Sequence, residues 1–348
     1  MNWIICFIFI IFFVSISIYV YMFYPKQQID TCTVQEIYLT TPDEEKYHND
    51  CLHPCIRKMS NGRYVMVQSP WYHCQDNVEN PILYFSDDLM RWDHGIVVAD
   101  TPEKGYNSDP TVFEENGRVY VLWREVDTPF CEANNTSIAT VGVYTDNYGK
   151  SFSNKKLYIA NEERKVDIEM SPIVIKYKDK YRIYASWYQM WRKDRHNLGI
   201  TIWEGTSLEN PDFKLCKKVP FKEKMICDKF KQIKLFGHYF FFPKPHKFDL
   251  WHFDLFEKAG NLYMVASEED ADVVMLAVSE DWENFRMIRK PLINALCMQN
   301  IVDYRQKYYK STAIVEDENI RLLYTANPSG QYFTHKLYTS LIKCAFKE

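Results

Sequence analysis

Short apolar runs of alternating character, separated by tight polar turns, recur along most of this chain and predict strands. No amphipathic helical pattern of ordinary length interrupts them between about residues 50 and 330. The runs come in pairs. CLHPCIRKMSNGRYVMVQS (51–69), NSDPTVFEENGRVYVLWRE (107–125), IEMSPIVIKYKDKYRIYASW (168–187), WHFDLFEKAGNLYMVASEE (251–269) and YKSTAIVEDENIRLLYTA (309–326) are five such units. Each places NG, KDK, AGN or DEN between two strand-like halves, which is a hairpin signal. Four of the units are followed by a second pair of short strands: ILYFSDDLMRW (82–92), VGVYTDNYGKSF (141–152), LGITIWEGTSLENPDF (198–213) and VVMLAVSEDWENF (273–285).

Pro54, Pro110 and Pro172 fall at one register of the repeat, 56 and 62 residues apart, and an insertion around 214–250 precedes the fourth unit. Five repeats of about four strands predict an all-β, five-bladed β-propeller. A β-sandwich also has many short strands, but it gives no reason for one opening motif to recur five times.

The first residues follow a different pattern. From Trp3 to Tyr24 no side chain is charged, about the length an apolar helix needs to cross a bilayer. No basic n-region precedes the run and no small-residue cleavage site follows it. The reading is therefore an N-terminal transmembrane signal anchor, with a cleaved signal peptide as the alternative. The expected organisation is an anchor over 1–24, a polar stalk over 25–49 and the propeller over 50–348. The protein is expected to be membrane-anchored with an exported propeller, or secreted.

Composition narrows the function. A formal net charge of −4 argues against a nucleic-acid partner. Tyr (25), Phe (22) and Trp (9) are abundant; they suit pleated, half-buried surfaces and also stack on sugar rings. Ten cysteines are present, and in an exported chain Cys51, Cys55 and Cys74 are the first place to look for a disulfide. CLHPC with the following WYHC lacks the paired CxxC spacing of a zinc site, so no metal and no cofactor is expected. Asn134-Asn135-Thr136-Ser137 holds overlapping glycosylation sequons, which read first as a polar loop.

In a propeller the innermost strand of each blade lines a central channel, and residues at the start of that strand gather at one mouth. Taking one register from each blade assembles Asp50 and His53, Asp109, Glu169, His252 and Asp254, with Arg305 or Lys310 from the fifth. Trp71, Trp123 and Trp187 follow the second strand of the first three blades, where they either stack on a sugar or pack between blades.

NSDPTVFEENGRVYVLW and EMSPIVIKYKDKYRIYAS resemble the blade-opening motifs of five-bladed glycosidases, the clan that includes glycoside hydrolase family 43. The outer hairpin TDNYGKSF is similar to the Asp-box turn of sialidase-like propellers. The first resemblance spans about residues 50–330. It implies a blade-one Asp as general base, a blade-two Asp that tunes and orients, and a blade-three Glu as general acid. By position Asp109 matches the second and Glu169 the third. The chain departs from the pattern at blade one, where His53-Pro54 stands in place of Asp-Pro. Either the base has moved to Asp50, or His53 takes another role, or the chemistry is lost or changed. Asp254 is the other carboxylate able to serve.

Glycoside cleavage needs two carboxyls in opposite protonation states. The expectation is thus a glycoside hydrolase-like protein acting on an oligo- or polysaccharide, with catalytic Asp109, Glu169, Asp254 and Asp50. His53, His252, Trp71, Trp123 and Trp187 are expected to bind substrate. The alternative is a non-catalytic propeller that binds glycan or protein in surface polysaccharide handling. A sialidase would need an arginine cluster and a Tyr/Glu pair that the sequence does not place.

Overall fold

The computed structural model describes residues 12–13, 15, 34–160, 167–189, 196–221, 226–235, 238–268, 273–294, 308–326 and 335–343. Strand β1 (Val34–Ile37) lies first in the chain and is used last. The first blade is β2 (Cys55–Lys58), β3 (Tyr64–Gln68), β4 (Ile82–Ser86) and β5 (Ile96–Val97). The second is β6 (Tyr106–Glu115), β7 (Arg118–Val126), β8 (Ile138–Thr145) and β9 (Lys156–Ala160). The third is β10 (Asp167–Tyr177), β11 (Lys180–Gln189), β12 (His196–Gly205) and β13 (Lys214–Pro220). The expected insertion is a separate hairpin, β14 (Ile226–Leu235) with β15 (His238–Lys247). The fourth blade is β16 (His252–Lys258), β17 (Asn261–Ser267), β18 (Val273–Ser279) and β19 (Arg286–Asn294). The fifth is β20 (Tyr308–Glu316), β21 (Asn319–Ala326) and β22 (Lys336–Lys343), completed by β1 on the outer edge.

Every blade is an antiparallel meander, and the inner strands β2, β6, β10, β16 and β20 touch in a closed ring. Pairing β1 with β22 in the register Val34↔Ser340 to Ile37↔Leu337 joins the two ends of the chain in one sheet and closes that ring. These residues fall in the segment expected as a stalk. The segment expected as an anchor lies outside the described residues apart from 12, 13 and 15; among the described residues no helix is long and apolar enough to cross a membrane.

The hairpins form where the turn dipeptides predict them. Asn116 (φ 54°) and Gly117 (φ 86°) occupy the turn between Glu115 and Arg118, a two-residue connection with both φ positive. Outer hairpins turn on carboxylates or amides that bind their own backbone: Asp88 Oδ1 accepts from the N–H groups of Met90 and Arg91, and Asp281 Oδ1 from those of Glu283 and Asn284. The apolar faces of neighbouring blades then interdigitate. Val65, Val67 and Leu83 meet Val119, Val121 and Trp123, and the same cluster runs on to Ile173 and to Phe253 and Leu255.

Cys51, Cys55 and Cys74 do not form the expected disulfide with one another: Cys51 packs in the cluster that closes the fifth blade on the first, Cys55 faces the second blade, and Cys74 is exposed. The sequon asparagines Asn134 and Asn135 are exposed in a loop after the one-turn helix Pro129–Ala133.

Candidate functional site

Three inner strands carry a bulge at the same register. The ladder slips between Ser108 and Thr111 on β6, between Met170 and Ile173 on β10, and between Tyr308 and Ser311 on β20. On β6 and β10 the bulge contains a proline, which has no N–H to give to a ladder. The residue before it adopts positive φ: Asp109 at 49° and Ser171 at 51°. Such non-glycine backbone is costly and concentrates at functional sites. The bulges bring the side chains of Asp109 and Ser171 together at the channel, and the third buries Lys310 beside them.

Asp109 is the hub. Its Oδ1 lies 3.4 Å from His53 Nε2 and 3.6 Å from His252 Nδ1, and it accepts the Ser171 hydroxyl at 3.3 Å. Its Oδ2 lies 3.0 Å from Arg124 Nε. Lys310, fully buried, donates to the Pro110 carbonyl at 3.4 Å. Glu79 enters from a loop of single helical turns. Its Oε1 lies 3.1 Å from His53 Nδ1 and accepts the Ser108 hydroxyl, while Ser69 Oγ lies 2.9 Å from the same His53 nitrogen. Tyr309 forms an aromatic wall, its ring centroid 4.7 Å from that of His252 and 5.4 Å from that of His53.

Electrostatics sort these groups into distinct protonation states. Burial pushes the His252 imidazole down to about 3, against the pull of Asp109 and with help from Lys310 and Arg124. Burial likewise holds His53 well below its ordinary value, so both rings are neutral near pH 7. Burial alone would raise the Asp109 carboxyl, but the Arg124 guanidinium, followed by His53, His252 and Lys310, overrides it and keeps Asp109 ionised. Glu79 goes the other way: burial and then the Asp109 charge raise it well above the carboxylate range, only partly opposed by Ser108 and Arg124.

Tautomers follow from the partners. His252 Nδ1–H can donate to Ser171 Oγ while that hydroxyl donates to Asp109, which leaves the Nε2 lone pair buried and without a hydrogen-bond partner among the described residues. His53 Nδ1 faces two acceptor groups, Glu79 and Ser69, so its proton belongs there and its Nε2 lone pair faces an anionic oxygen. A lone pair directed at a carboxylate is what a cation between them would stabilise. One donor atom each from His53, Asp109 and His252 lies within 4.8 Å of the others, and all three side chains are buried. Two neutral imidazoles and one carboxylate are a donor set whose chemistry suits a divalent cation. The sequence gives no such warning, because the ligands come from three blades rather than from a CxxC-type motif.

The other predicted residues sit elsewhere. Asp254, two residues along β16 from His252, makes a two-pronged bond with Arg57 at 2.7 and 2.9 Å and accepts from Thr312, so it clasps the first, fourth and fifth blades. Asp50 accepts from the backbone N–H groups of Trp71 and His335 and pins the chain before β2 to the start of β22. Trp71 bonds Asp76, and Trp123 is wholly buried with its indole on Asn107. Glu169 accepts the Trp203 indole N–H at 3.0 Å and, with Trp187, lines a cavity flanked by β9 and β13 rather than facing Asp109. Arg305 lies outside the described residues.

No family model and no curated protein matches the chain. Solved structures do. An N-acetylgalactosamine deacetylase from F. plautii in complex with blood group B trisaccharide superposes with a TM-score of 0.62 at 14% identity, over 89% of this chain and 95% of that one. A GH43_1 enzyme from Xanthomonas citri gives 0.54 at 13% identity, over 90% and 91%. Zg3597, a family 117 glycoside hydrolase of the marine bacterium Zobellia galactanivorans, gives 0.54 at 12%, over 90% of each chain. The fold is that of the five-bladed propeller glycosidases and their relatives.

Proposed function

We propose that the protein is a carbohydrate-acting hydrolase centred on His53, Asp109 and His252, which hold a divalent cation, and that it removes an acyl substituent such as N-acetyl from a sugar. The observation that carries this reading is the buried His-Asp-His cluster with its donor atoms within 4.8 Å of one another. A cation held there would polarise a carbonyl oxygen and lower the pKa of a bound water. The residues around it have distinct tasks. Asp109 contributes the anionic ligand, and Arg124 and Lys310 offset its charge. Glu79 and Ser171 fix the histidine tautomers. Glu79, held toward its protonated form, is a proton donor next to the centre. Tyr309 offers a ring face on which a sugar can stack. The likeness to a sugar deacetylase and to glycoside hydrolases supports a carbohydrate substrate.

One observation favours a second reading, glycoside cleavage by a carboxyl pair. Glu79 and Asp109 flank the two edges of the His53 ring, and their surroundings drive one pKa up and the other down. In that reading Glu79 takes the acid role that the sequence offers to Glu169. The same experiment separates the two: the full chain is incubated with N-acetylated hexosaminides and with aryl glycosides, with and without chelator. Acetate release that the chelator abolishes and zinc restores is the expected result. Sugar release indifferent to chelator and lost in Glu79→Gln would establish the second reading. Neither product, with glycan still bound, would leave a binding propeller. The apolar run before Tyr24 would tether this activity to a membrane, and sedimentation of the full chain with membranes after alkaline carbonate washing tests that tether.

A further inference from the structure

Asp109 points one oxygen at the two histidines and the other at Arg124, and that arginine is only partly used. Arg124 stands opposite Ser108 in the β6–β7 ladder, and its Nε is buried 3.0 Å from Asp109 Oδ2. The terminal amino groups differ. Nη1 and Nη2 make no hydrogen bond among the described residues and are not among the buried nitrogens, so they share in the 11% of the side chain that stays exposed. A guanidinium fixed at Nε with both amino groups open is a fork for an anion. The half-buried Tyr106 ring lies 5.9 Å from it and adds a hydroxyl that makes no hydrogen bond among the described residues.

The charges at this end of the channel do not cancel once a divalent cation is held. Asp109, Glu79 and the exposed Asp76 bring at most three negative charges, whereas Arg124, Lys310 and the cation bring four positive ones. Each carboxylate is also spoken for. Asp76 accepts the Trp71 indole, Glu79 accepts the Ser108 hydroxyl, and Asp109 would ligate the cation. Nothing in the protein balances the open end of Arg124, and partial burial strengthens the pull of its charge on a ligand.

We propose that Arg124, with Tyr106 beside it, binds an acidic substituent of the substrate, a carboxylate or a sulfate on the sugar chain, and so selects acidic glycans. The proposal rests on the reading of His53, Asp109 and His252 as a cation centre and names the substrate class for that centre.

The test uses the zinc-loaded full chain and reads both calorimetric binding and acetate release. A hyaluronan tetrasaccharide, which carries carboxylates, is compared with neutral chitotetraose, and N-acetylglucosamine 6-sulfate with N-acetylglucosamine. At least one acidic probe is expected to bind about tenfold more tightly than its neutral partner, the effect of one charge-assisted contact. Arg124→Gln is expected to abolish that preference, Arg124→Lys to keep part of it, and Tyr106→Phe to weaken the acidic probe about fivefold. Zinc content and urea midpoint are measured on each variant; should Arg124→Gln fail to fold or to hold zinc, the wild-type comparison and Tyr106→Phe decide. Acidic preference without acetate release would uphold this proposal and defeat the deacylation reading. Acetate release with no acidic preference would do the reverse. Binding of none of the probes, or a preference that survives in folded Arg124→Gln, would overturn the role given to Arg124.

Discussion

Ser171 gives its hydroxyl to Asp109 Oδ1 at 3.3 Å across the boundary between the second and third blades, and the two residues occupy equivalent bulges, each just before a proline and each at positive φ. The same Ser171 oxygen meets His252 Nδ1. One small residue therefore links the Asp109 carboxylate to the His252 imidazole. Ser171→Ala is expected to leave the fold intact and to lower metal affinity or turnover by about 10–100-fold, the usual effect of removing a group that orients a ligand histidine. Retained affinity and retained turnover would show that His252 is oriented by something else.

Glu79 allows a test by pH. Its folded pKa is raised well above the ordinary glutamate value of 4.5, so the stability it contributes is complete below that value and is lost as pH rises toward the folded pKa. Glu79→Gln keeps the shape without the ionisation. The variant should match the wild type near pH 4 and become progressively more stable than it as pH rises to 8, measured by urea unfolding. A variant that grows less stable than wild type over that interval would mean that Glu79 is ionised and paired in the folded protein.

His252 predicts the opposite slope. Its folded pKa is depressed to about 3 from 6.5, so the unfolded chain takes up the proton first, and stability present above 6.5 is lost as pH falls through that window. Urea midpoints at pH 7, 6, 5 and 4 should fall more steeply in wild type than in His252→Gln. Parallel curves would refute a neutral, buried His252.

Asp254 separates structure from chemistry. Its carboxylate closes a two-pronged bond with Arg57 inside the ring of blades. Asp254→Asn leaves that guanidinium without its counter-charge and is expected to cost about 3–5 kcal/mol in urea unfolding. Metal content measured below the melting transition should not change. Loss of metal without loss of stability would place Asp254 in the centre after all.

Much of this could be read from the chain. Strand alternation and turn dipeptides such as Asn116-Gly117 are local signals, so the five repeated hairpins, and the propeller they imply, were legible. His53, Asp109, His252 and Lys310 could be picked from the repeat register because each lies within a few residues of the start of an inner strand, and the structure brings them close together. On the third blade the resemblance offered Glu169, three residues before Pro172, as the general acid. In the structure Ser171, the residue preceding that proline, is the one that reaches Asp109, and Glu169, two positions earlier, bonds Trp203. Glu79 carried no signal at all, since it lies in a loop between the single turn Asp76–Val78 and β4, where no periodicity points anywhere.

The most direct measurement is the metal content of the full chain after incubation with zinc and exhaustive dialysis, compared with Asp109→Asn and His252→Ala. About one equivalent per wild-type chain is predicted, as for a three-ligand site, with nearly none in either variant while both remain folded. Wild-type protein that keeps no metal, or variants that keep as much as wild type, would contradict the assignment of His53, Asp109 and His252 as the centre of this protein's chemistry.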